Sequence, residues 1–328
     1  MSQFGVDFKM SENKEYYVLA YYHLELIDDP REEVRRHKEF FENRDVSGRI
    51  YISEEGINGQ MSGRKDAAIA FMDWMHADER FKDLRFKIHY HHENAFPKMI
   101  VKYREQLVAL DEKVDHKQGG GHVSPARWIE MLESDEKYLL LDVRNDYEWK
   151  VGRFKGAEKP DLSRFRDFPA YADSLKEKHG AKDTKVMMYC TGGIRCELYS
   201  ALMKDRGFED VYQLDGGVIG YGEKEGSKHW EGKLFVFDDR LTVPIAEGED
   251  APVVGECNHC GVESESYYNC AHMDCNELFL SCMECLKKFS GCCQESCMGS
   301  PRVRPISHQN PHKPFRRWYQ YFDGNAKP

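Results

Sequence analysis

The sequence predicts an α/β protein whose central region forms a mainly parallel sheet covered by helices. Three observations predict this class and the division of the chain into segments. Apolar strand-like runs alternate with helical periodicity in the middle of the chain, a glycine-rich stretch precedes that region, and nine of the eleven cysteines lie between residues 257 and 297. A chain of 328 residues is also long for one core and suggests two or three domains.

Residues 1–115 are predicted to form an N-terminal α+β domain. An aromatic, β-branched run favours the first strand, and Asp29-Pro30 provides a cap and a first-turn proline for the helix that follows. An Asn-Gly pair at residues 58–59 favours a hairpin-like reversal over residues 54–59. The resulting order β-α-β-β-α-β is typical of a ferredoxin-like sandwich. The predicted elements are strand 16–24, helix 30–41, strands 49–53 and 60–62, helix 64–75 and strand 84–91.

Three further segments follow this domain. Residues 116–122 contain three consecutive glycines and are predicted to be a flexible linker. Residues 123–245 are predicted to hold the parallel sheet, beginning with a helix that Ser124-Pro125 caps. Residues 246–328 are predicted to be a cysteine-rich, metal-binding segment with a basic tail.

Cys190 is the candidate reactive residue. It lies where an apolar strand, residues 186–189, meets a glycine turn that ends at Arg195, and residues 196–206 are predicted to form the helix that follows. Backbone N–H groups of such a turn, the positive end of the helix and the arginine charge all favour an anion at this point. Such surroundings lower a thiol pKa from about 8.5 to roughly 3.5–7.5, so we predict a thiolate at neutral pH. The loop residues predicted to contact the substrate are Thr191, Gly192, Gly193 and Ile194.

The length of the loop separates two chemistries. Tyrosine phosphatases space cysteine and arginine as C-x5-R, whereas Cys190 and Arg195 are spaced as C-x4-R. This smaller loop resembles that of rhodanese domains, in which the cysteine carries a persulfide. The resemblance extends to three other landmarks, with Arg153 replacing the histidine found in many rhodanese domains. These landmarks are Leu139 to Arg144 followed by Glu148, Gly152 to Ala157, and Leu214-Asp215-Gly216-Gly217.

The rhodanese resemblance implies a role for each residue. Cys190 is implied to be the nucleophile and persulfide carrier, Arg195 a charge of the loop, and Asp142 and Arg144 supporting residues beside it. Asp142 and Arg144 are equally consistent with a structural ion pair.

The cysteines near the end of the chain predict a metal site. Two C-x2-C pairs, separated by twenty-one residues, resemble a ribbon-type zinc site, and the remaining cysteines leave room for a second site in a cross-braced arrangement. Structural zinc is therefore the candidate cofactor, with an iron–sulfur cluster and a metal-free thiol cluster as alternatives. The predicted ligands are Cys257, Cys260, Cys282 and Cys285.

The basic tail is a candidate RNA contact. Between residues 301 and 328, six basic residues, among them Arg316 and Arg317, stand against one acid and are interleaved with aromatic residues. Cations and stacking rings together suit single-stranded RNA. A tail that packs its rings on the protein body is the alternative.

Taken together, these parts resemble the rhodanese-containing tRNA uridine hydroxylases of bacteria. The resemblance is carried by Glu55 to Gly59, by Cys190 to Glu197 and by Gly291-Cys292-Cys293, and it spans nearly the whole chain. It implies oxygen-dependent 5-hydroxylation of the wobble uridine of tRNA, with Cys190 essential. A sulfurtransferase that passes sulfur to a protein or tRNA, and a noncatalytic RNA adaptor, remain alternatives.

Composition bounds the location and the partners. No secretory pattern opens the sequence, and no apolar run approaches a membrane span. Eleven cysteines without an export signal indicate a reducing cytosol. The net charge of −10 argues against extensive binding of polyanions but permits a local basic patch. We expect a cytoplasmic protein whose partner is tRNA, with no membrane and no DNA partner.

Overall fold

A computed structural model describes residues 15–110, 112–159, 165–249 and 251–305. The chain divides into two compact units, Met1–Leu107 and Val108–Pro328. Within the described ranges, no helix combines the length and the apolar content that crossing a membrane requires.

The first unit is a ferredoxin-like sandwich, as predicted. The sheet has the strand order β4-β1-β3-β2-β5, and its first four strands are antiparallel neighbours. The fifth strand, which the sequence did not predict, pairs parallel to β2. Apolar side chains of alternate strand residues, among them Leu19 and Ile50, pack against the two helices. The elements are β1 (Tyr16–His23), α1 (Pro30–Phe41), β2 (Val46–Ser53), β3 (Gly56–Arg64), α2 (Lys65–His76), β4 (Lys87–His91) and β5 (Met99–Tyr103).

The reversal between β2 and β3 is tighter than predicted. Ser53 pairs with Gly56, so the turn consists of two glutamates, and the Asn-Gly pair lies inside β3. Gly56 has a φ of +139°, and a Cβ there would lie 2.0 Å from the carbonyl oxygen of His23. The longer pairing buries Ile57 completely. Burial of this residue therefore outweighs the turn preference of Asn-Gly.

The second unit contains the predicted parallel sheet. Its four strands are arranged β6-β10-β9-β7, and every pair is parallel. Ser124 caps the first helix by accepting a hydrogen bond from the backbone N–H of Arg127. The four strands are β6 (Gly121–Val123), β7 (Leu139–Asp142), β9 (Val186–Tyr189) and β10 (Val211–Leu214), and β8 (Gly152–Phe154) lies outside this sheet. The helices around them are α3 (Pro125–Leu132), α4 (Asp146–Val151), α5 (Phe168–His179), α6 (Ile194–Asp205) and α7 (Gly217–Glu225).

The segment predicted as a flexible linker is part of this sheet. Residues His116–Gln118 form a 3-10 turn, and β6 pairs with β10. The backbone N–H of Gly120 donates to Ser200 Oγ at 2.8 Å, and a Cβ on Gly120 would lie 2.6 Å from the carbonyl oxygen of Val211. The glycines therefore permit close backbone approach rather than flexibility.

The cysteine-rich segment packs on the parallel-sheet region. Tyr267 donates a hydrogen bond to the carbonyl oxygen of Tyr147 at 2.6 Å, and Lys233 pairs with Glu265 at 2.6 Å. Val151, Phe235, Tyr267 and Leu280 form a shared apolar cluster. The segment thus contacts α4, the helix that contains Tyr147. The remaining elements are β11 (Trp230–Gly232), β12 (Leu234–Phe235), β13 (Thr242–Val243), β14 (Tyr267–Asn269), β15 (Leu278–Leu280), α8 (Met283–Lys288) and α9 (Glu295–Met298).

Candidate active site and cysteine clusters

Cys190 lies between the end of β9 and the beginning of α6, as predicted. Gly193 adopts a φ of +110°, which turns the chain from the strand into the helix. In this conformation the backbone N–H of Gly193 donates to Cys190 Sγ at 3.1 Å. Cys190 itself is 0% exposed, so the sulfur sits at the base of the loop.

The loop favours the thiolate form of Cys190. Burial opposes ionisation, but a hydrogen bond from the Cys196 thiol, the charge of Arg195 and the backbone N–H groups of Gly193 and Cys196 together lower the pKa of Cys190 to about 5. Burial and the neighbouring Cys190 raise the pKa of Cys196 well above its ordinary value. Cys196 therefore stays protonated and donates to the Cys190 thiolate.

Arg195 is held by a buried carboxylate, Glu148. The two side chains form a bidentate pair with N–O distances of 2.7 and 2.9 Å, and Glu148 is 0% exposed. Thr191 Oγ1 donates to Glu148 at 2.7 Å and accepts from Arg195 at 3.1 Å. Asn145 donates to the same carboxylate from its backbone and its side chain. The Arg195 charge is thus partly neutralised beside the thiolate.

Sequence reasoning named Glu148 as a landmark but missed its contact with the loop. The spacing of Asn145 and Glu148 is that of a capping box, which the structure contains at the start of α4. That pattern explains the contact between these two residues. The partner Arg195 is 47 residues away in sequence, and no local pattern identifies it.

A second glycine turn supports the back of the loop. The backbone N–H of Val218 donates to the carbonyl oxygen of Cys190 at 3.0 Å, and that of Ile219 donates to the carbonyl oxygen of Thr191 at 3.1 Å. Gly217 has a φ of +63°, and a Cβ there would lie 2.6 Å from the Cys190 carbonyl oxygen. These bonds satisfy the carbonyl oxygens of Cys190 and Thr191 and fix the loop to the beginning of α7.

Comparisons with known proteins identify the family. The UPF0176 acylphosphatase like domain matches residues 16–107, the rhodanese-like domain matches 124–224, and the rhodanase C-terminal region matches 231–298. A protein from Protochlamydia amoebophila (strain UWE25), named tRNA uridine(34) hydroxylase, is 58% identical over 95% of this chain and 98% of its own length. A protein of the same name from Chlamydia felis is 52% identical over 93% of this chain and 94% of its own length. The chain belongs to the tRNA uridine(34) hydroxylase family. The resemblance predicted from the sequence is therefore confirmed.

In this member of the tRNA uridine(34) hydroxylase family, Asp142 and Arg144 bind each other. Arg144 Nε and Nη2 donate to the Asp142 carboxylate at 2.8 and 2.6 Å, and both side chains are fully buried. Tyr189 donates to Asp142 at 2.7 Å, Arg144 donates to the carbonyl oxygen of Gly152 at 2.6 Å, and its guanidinium lies 5.1 Å from the ring of Trp230. These contacts connect β7, β8, β9 and β11, which favours the structural ion pair of the two sequence interpretations.

The remaining predicted substrate contacts separate into two groups. Thr191, Gly192, Gly193 and Ile194 form the loop around Cys190, and Ile194 packs against the core of the parallel sheet. Arg316 and Arg317 lie outside the described residues.

The predicted metal ligands come together in space. The sulfurs of Cys257, Cys260, Cys282 and Cys285 all lie within 4.8 Å of one another. The sequence did not assign ligands to a second site, yet a second group of four sulfurs meets the same criterion. None of the eleven cysteines forms a disulfide. The second group consists of Cys270, Cys275, Cys293 and Cys297.

Proposed function

We propose that this protein hydroxylates C5 of uridine 34, the wobble uridine of tRNA, in an oxygen-dependent reaction that uses Cys190. The observation that carries the proposal is the similarity over nearly the full chain to proteins named tRNA uridine(34) hydroxylase. The low pKa of Cys190, about 5, supplies a nucleophilic thiolate at neutral pH.

The overall reaction replaces the C5 hydrogen with a hydroxyl group. One atom of dioxygen goes to C5, and the other leaves as water. The balance requires two electrons and two protons, which we assign to a donor of the thiol class. The enzyme is thus an oxidoreductase whose substrate is tRNA.

We propose that Cys190 works as a persulfide, whose outer sulfur the thiolate accepts from a low-molecular-weight persulfide that leaves as its own thiolate. Because Cys190 is 0% exposed, an added sulfur would move the reactive atom outward by about 2.05 Å, the length of an S–S bond. Dioxygen, two electrons and two protons would convert the persulfide to its S-hydroxylated form and water. That form would pass its hydroxyl group to C5, take up the C5 hydrogen and return to the persulfide. Direct addition of the thiolate to C6, which makes C5 nucleophilic, is the alternative use of Cys190.

The test is nucleoside analysis of tRNA by mass spectrometry. Cells that lack this gene are complemented with the natural protein or with Cys190→Ser and grown with and without air. We expect 5-hydroxyuridine only with the natural protein and only in air, and a folded Cys190→Ser protein by circular dichroism. Full modification in cells carrying Cys190→Ser would overturn the proposal and support the noncatalytic adaptor.

A rhodanese-type sulfurtransferase is the second candidate. The match of residues 124–224 to the rhodanese-like domain and the C-x4-R loop favour it. It predicts sulfur rather than oxygen in the modified nucleoside, or transfer of sulfane sulfur to an acceptor protein. The same mass spectra separate these outcomes.

We propose that tRNA contacts the sheet face of the first unit opposite its helices. Tyr51 lies on this face, because side chains alternate along a strand and its neighbours Ile50 and Ile52 point into the core. Its side chain is half-buried. Tyr51 pairs with Lys102 across β2 and β5, and the guanidinium of Arg104 lies 4.9 Å from the Tyr51 ring. Arg49 lies two residues away on the same face. A ring among three cations suits a stacked base with adjacent phosphates.

We also propose that the group Cys257, Cys260, Cys282 and Cys285 holds a structural zinc ion. Four thiolates complete the shell of such an ion and leave no position for a substrate. Eleven cysteines that form no disulfide and a tRNA substrate together support a cytoplasmic location.

A further inference from the structure

We propose that the cysteine-rich segment binds a second zinc ion through Cys270, Cys275, Cys293 and Cys297. Together with the first site, this makes a cross-braced unit of two ions. The proposal does not depend on the hydroxylation chemistry.

The order of the ligands along the chain supports a cross-brace. The pair 257/260 is followed by 270/275 of the other group, then by 282/285 of the first group and 293/297 of the second. Each ion would therefore clamp two chain segments, and the loop between the two ligand pairs of one site contains ligands of the other. Loss of either ion should loosen the whole segment.

The distances between sulfurs fit a single ion in each group. Cys275 Sγ and Cys293 Sγ are 3.6 Å apart, and Cys260 Sγ and Cys282 Sγ are 3.8 Å apart. A tetrahedral zinc site with Zn–S bonds of about 2.3 Å places its sulfurs about 3.8 Å apart. A disulfide requires about 2.05 Å. The thiols are therefore arranged around a centre rather than in bonded pairs.

The surroundings of the second group suit a negatively charged centre. The backbone N–H of Cys293 donates to Cys270 Sγ at 3.4 Å, and that of Cys285 donates in the same way to Cys282 Sγ of the first group. The buried Arg304 guanidinium donates to the carbonyl oxygen of Cys270 at 3.3 Å, which places a positive charge beside the group. Four thiolates around one divalent cation carry a net charge of about −2, which these donors stabilise.

Apart from its contact with the parallel-sheet region through Tyr267 and Leu280, the segment has little apolar core of its own. Its strands β14 and β15 have three residues each, and its helices α8 and α9 have six and four. Apart from cysteines, its apolar cluster around the second group contains few large side chains, chiefly Tyr268, Phe279 and Leu286. A core of this size rarely sustains a fold without a metal or a disulfide.

Zinc is favoured over an iron–sulfur cluster. The cysteine sulfurs that hold a cluster are spread around it and lie further apart than those around a single ion. A single ion bound by four thiolates without redox chemistry is the usual structural role of zinc.

The test is the metal content of the purified full-length chain, measured by mass spectrometry with inductively coupled plasma. We expect about two zinc ions per chain, and about one in Cys275→Ser and in Cys260→Ser. Cys292→Ser is the matched control, because Cys292 is buried in the same segment but belongs to neither group. It should retain two ions. One ion or none in the natural chain, iron in place of zinc, or an equal loss in Cys292→Ser would overturn the proposal.

A second measurement covers the case in which a serine variant does not fold. The metal is removed from the natural chain, cobalt is added stepwise, and the thiolate-to-cobalt absorption is recorded at each step. Saturation at two equivalents supports two tetrathiolate sites, and saturation at one contradicts the second site.

Discussion

At the scale of single residues, the site balances burial against hydrogen bonding. Burial raises the pKa of Cys190, and Arg195, whose positive charge lowers it, also pairs with Glu148. The thiolate is therefore stabilised by hydrogen bonds from the Gly193 N–H and the Cys196 thiol as well as by the charge of Arg195. Local donors of this kind act at short range and are little affected by salt.

The pKa of Cys190 predicts how activity and stability change with pH. With a pKa of about 5, the thiolate fraction is half at that pH, nearly complete above pH ~6 and falls tenfold per unit below pH ~4. Single-turnover formation of the persulfide, in which the free Cys190 thiolate is the nucleophile, should follow this curve. Since the unfolded thiol has a pKa near 8.5 and binds more protons, the stability of the natural protein relative to Cys190→Ser should rise from pH ~5 to ~8.5.

Difference ultraviolet absorbance between the natural protein and Cys190→Ser measures the thiolate directly. A midpoint near the ordinary thiol pKa would show that the loop does not activate Cys190. Denaturant unfolding of both proteins across the same pH range checks the predicted sign of the stability change.

Glu148→Gln should affect both stability and the thiolate. The change leaves the charge of Arg195, whose side chain is 11% exposed, without its buried carboxylate, and breaking such a pair costs about 3 kcal/mol. It also removes a negative charge near the sulfur, so the Cys190 pKa should fall further. Urea unfolding and the absorbance titration measure the two effects. Glu130→Gln, which breaks the exposed Arg127–Glu130 pair, is the control and should change stability by less than about 1 kcal/mol.

At the scale of secondary structure, the site depends on a turn outside the loop itself. The beginning of α7 donates two backbone hydrogen bonds to loop carbonyls. Residues 190–195 are therefore fixed from the α6 side by Gly193 and from the α7 side by Gly217. The parallel order of β9 and β10 brings these two helix starts to the same sheet edge.

Gly217→Ala should displace the loop. Its Cβ would lie 2.6 Å and 2.8 Å from the carbonyl oxygens of Cys190 and Thr191, in addition to the strain of a φ of +63°. We expect a loss of about 2–3 kcal/mol in unfolding free energy and at least a tenfold loss of hydroxylation. Gly156→Ala is the matched control, with a φ of +79° but nothing within 4 Å of the new Cβ. It should lose only about 1 kcal/mol. Equal effects of the two variants would show that backbone strain alone, and not the contact with the loop, is responsible.

The sequence predicted those parts of the fold and site that local patterns encode. The strand-loop-helix around Cys190, the capped helices and the ferredoxin-like order follow from neighbouring residues. The predictions were wrong where contacts between residues far apart in sequence determine the structure. Burial of Ile57 extends β3 through an Asn-Gly pair. The segment predicted as a linker is instead part of the sheet, because Gly120 allows its backbone to lie close to that of Val211. The contact of Glu148 with Arg195 likewise depends on how β7 and β9 are placed side by side.

At the scale of the whole molecule, charge is distributed unevenly. The chain has a net charge of −10, which disfavours general attraction to nucleic acid. The strand residues that face away from the helices of the first unit nevertheless include the cations Arg49 and Lys102, and Arg104 follows β5 directly. Within the described residues, we propose that tRNA contacts this basic face.

Reversing the charge of Lys102 and Arg104 tests this binding mode. In the double variant Lys102→Glu/Arg104→Glu, we expect tRNA affinity to fall at least tenfold at physiological salt, because two phosphate contacts become repulsive. The negative slope of log affinity against log salt should become shallower by about 1.4, because each lost contact with single-stranded nucleic acid contributes roughly 0.7. Lys38→Glu/Lys65→Glu is the control with the same change in charge: both residues are exposed and lie in the helices α1 and α2 of the same unit. An equal loss in the control would indicate only a change in overall charge, and unchanged binding by the double variant would show that tRNA does not contact this face.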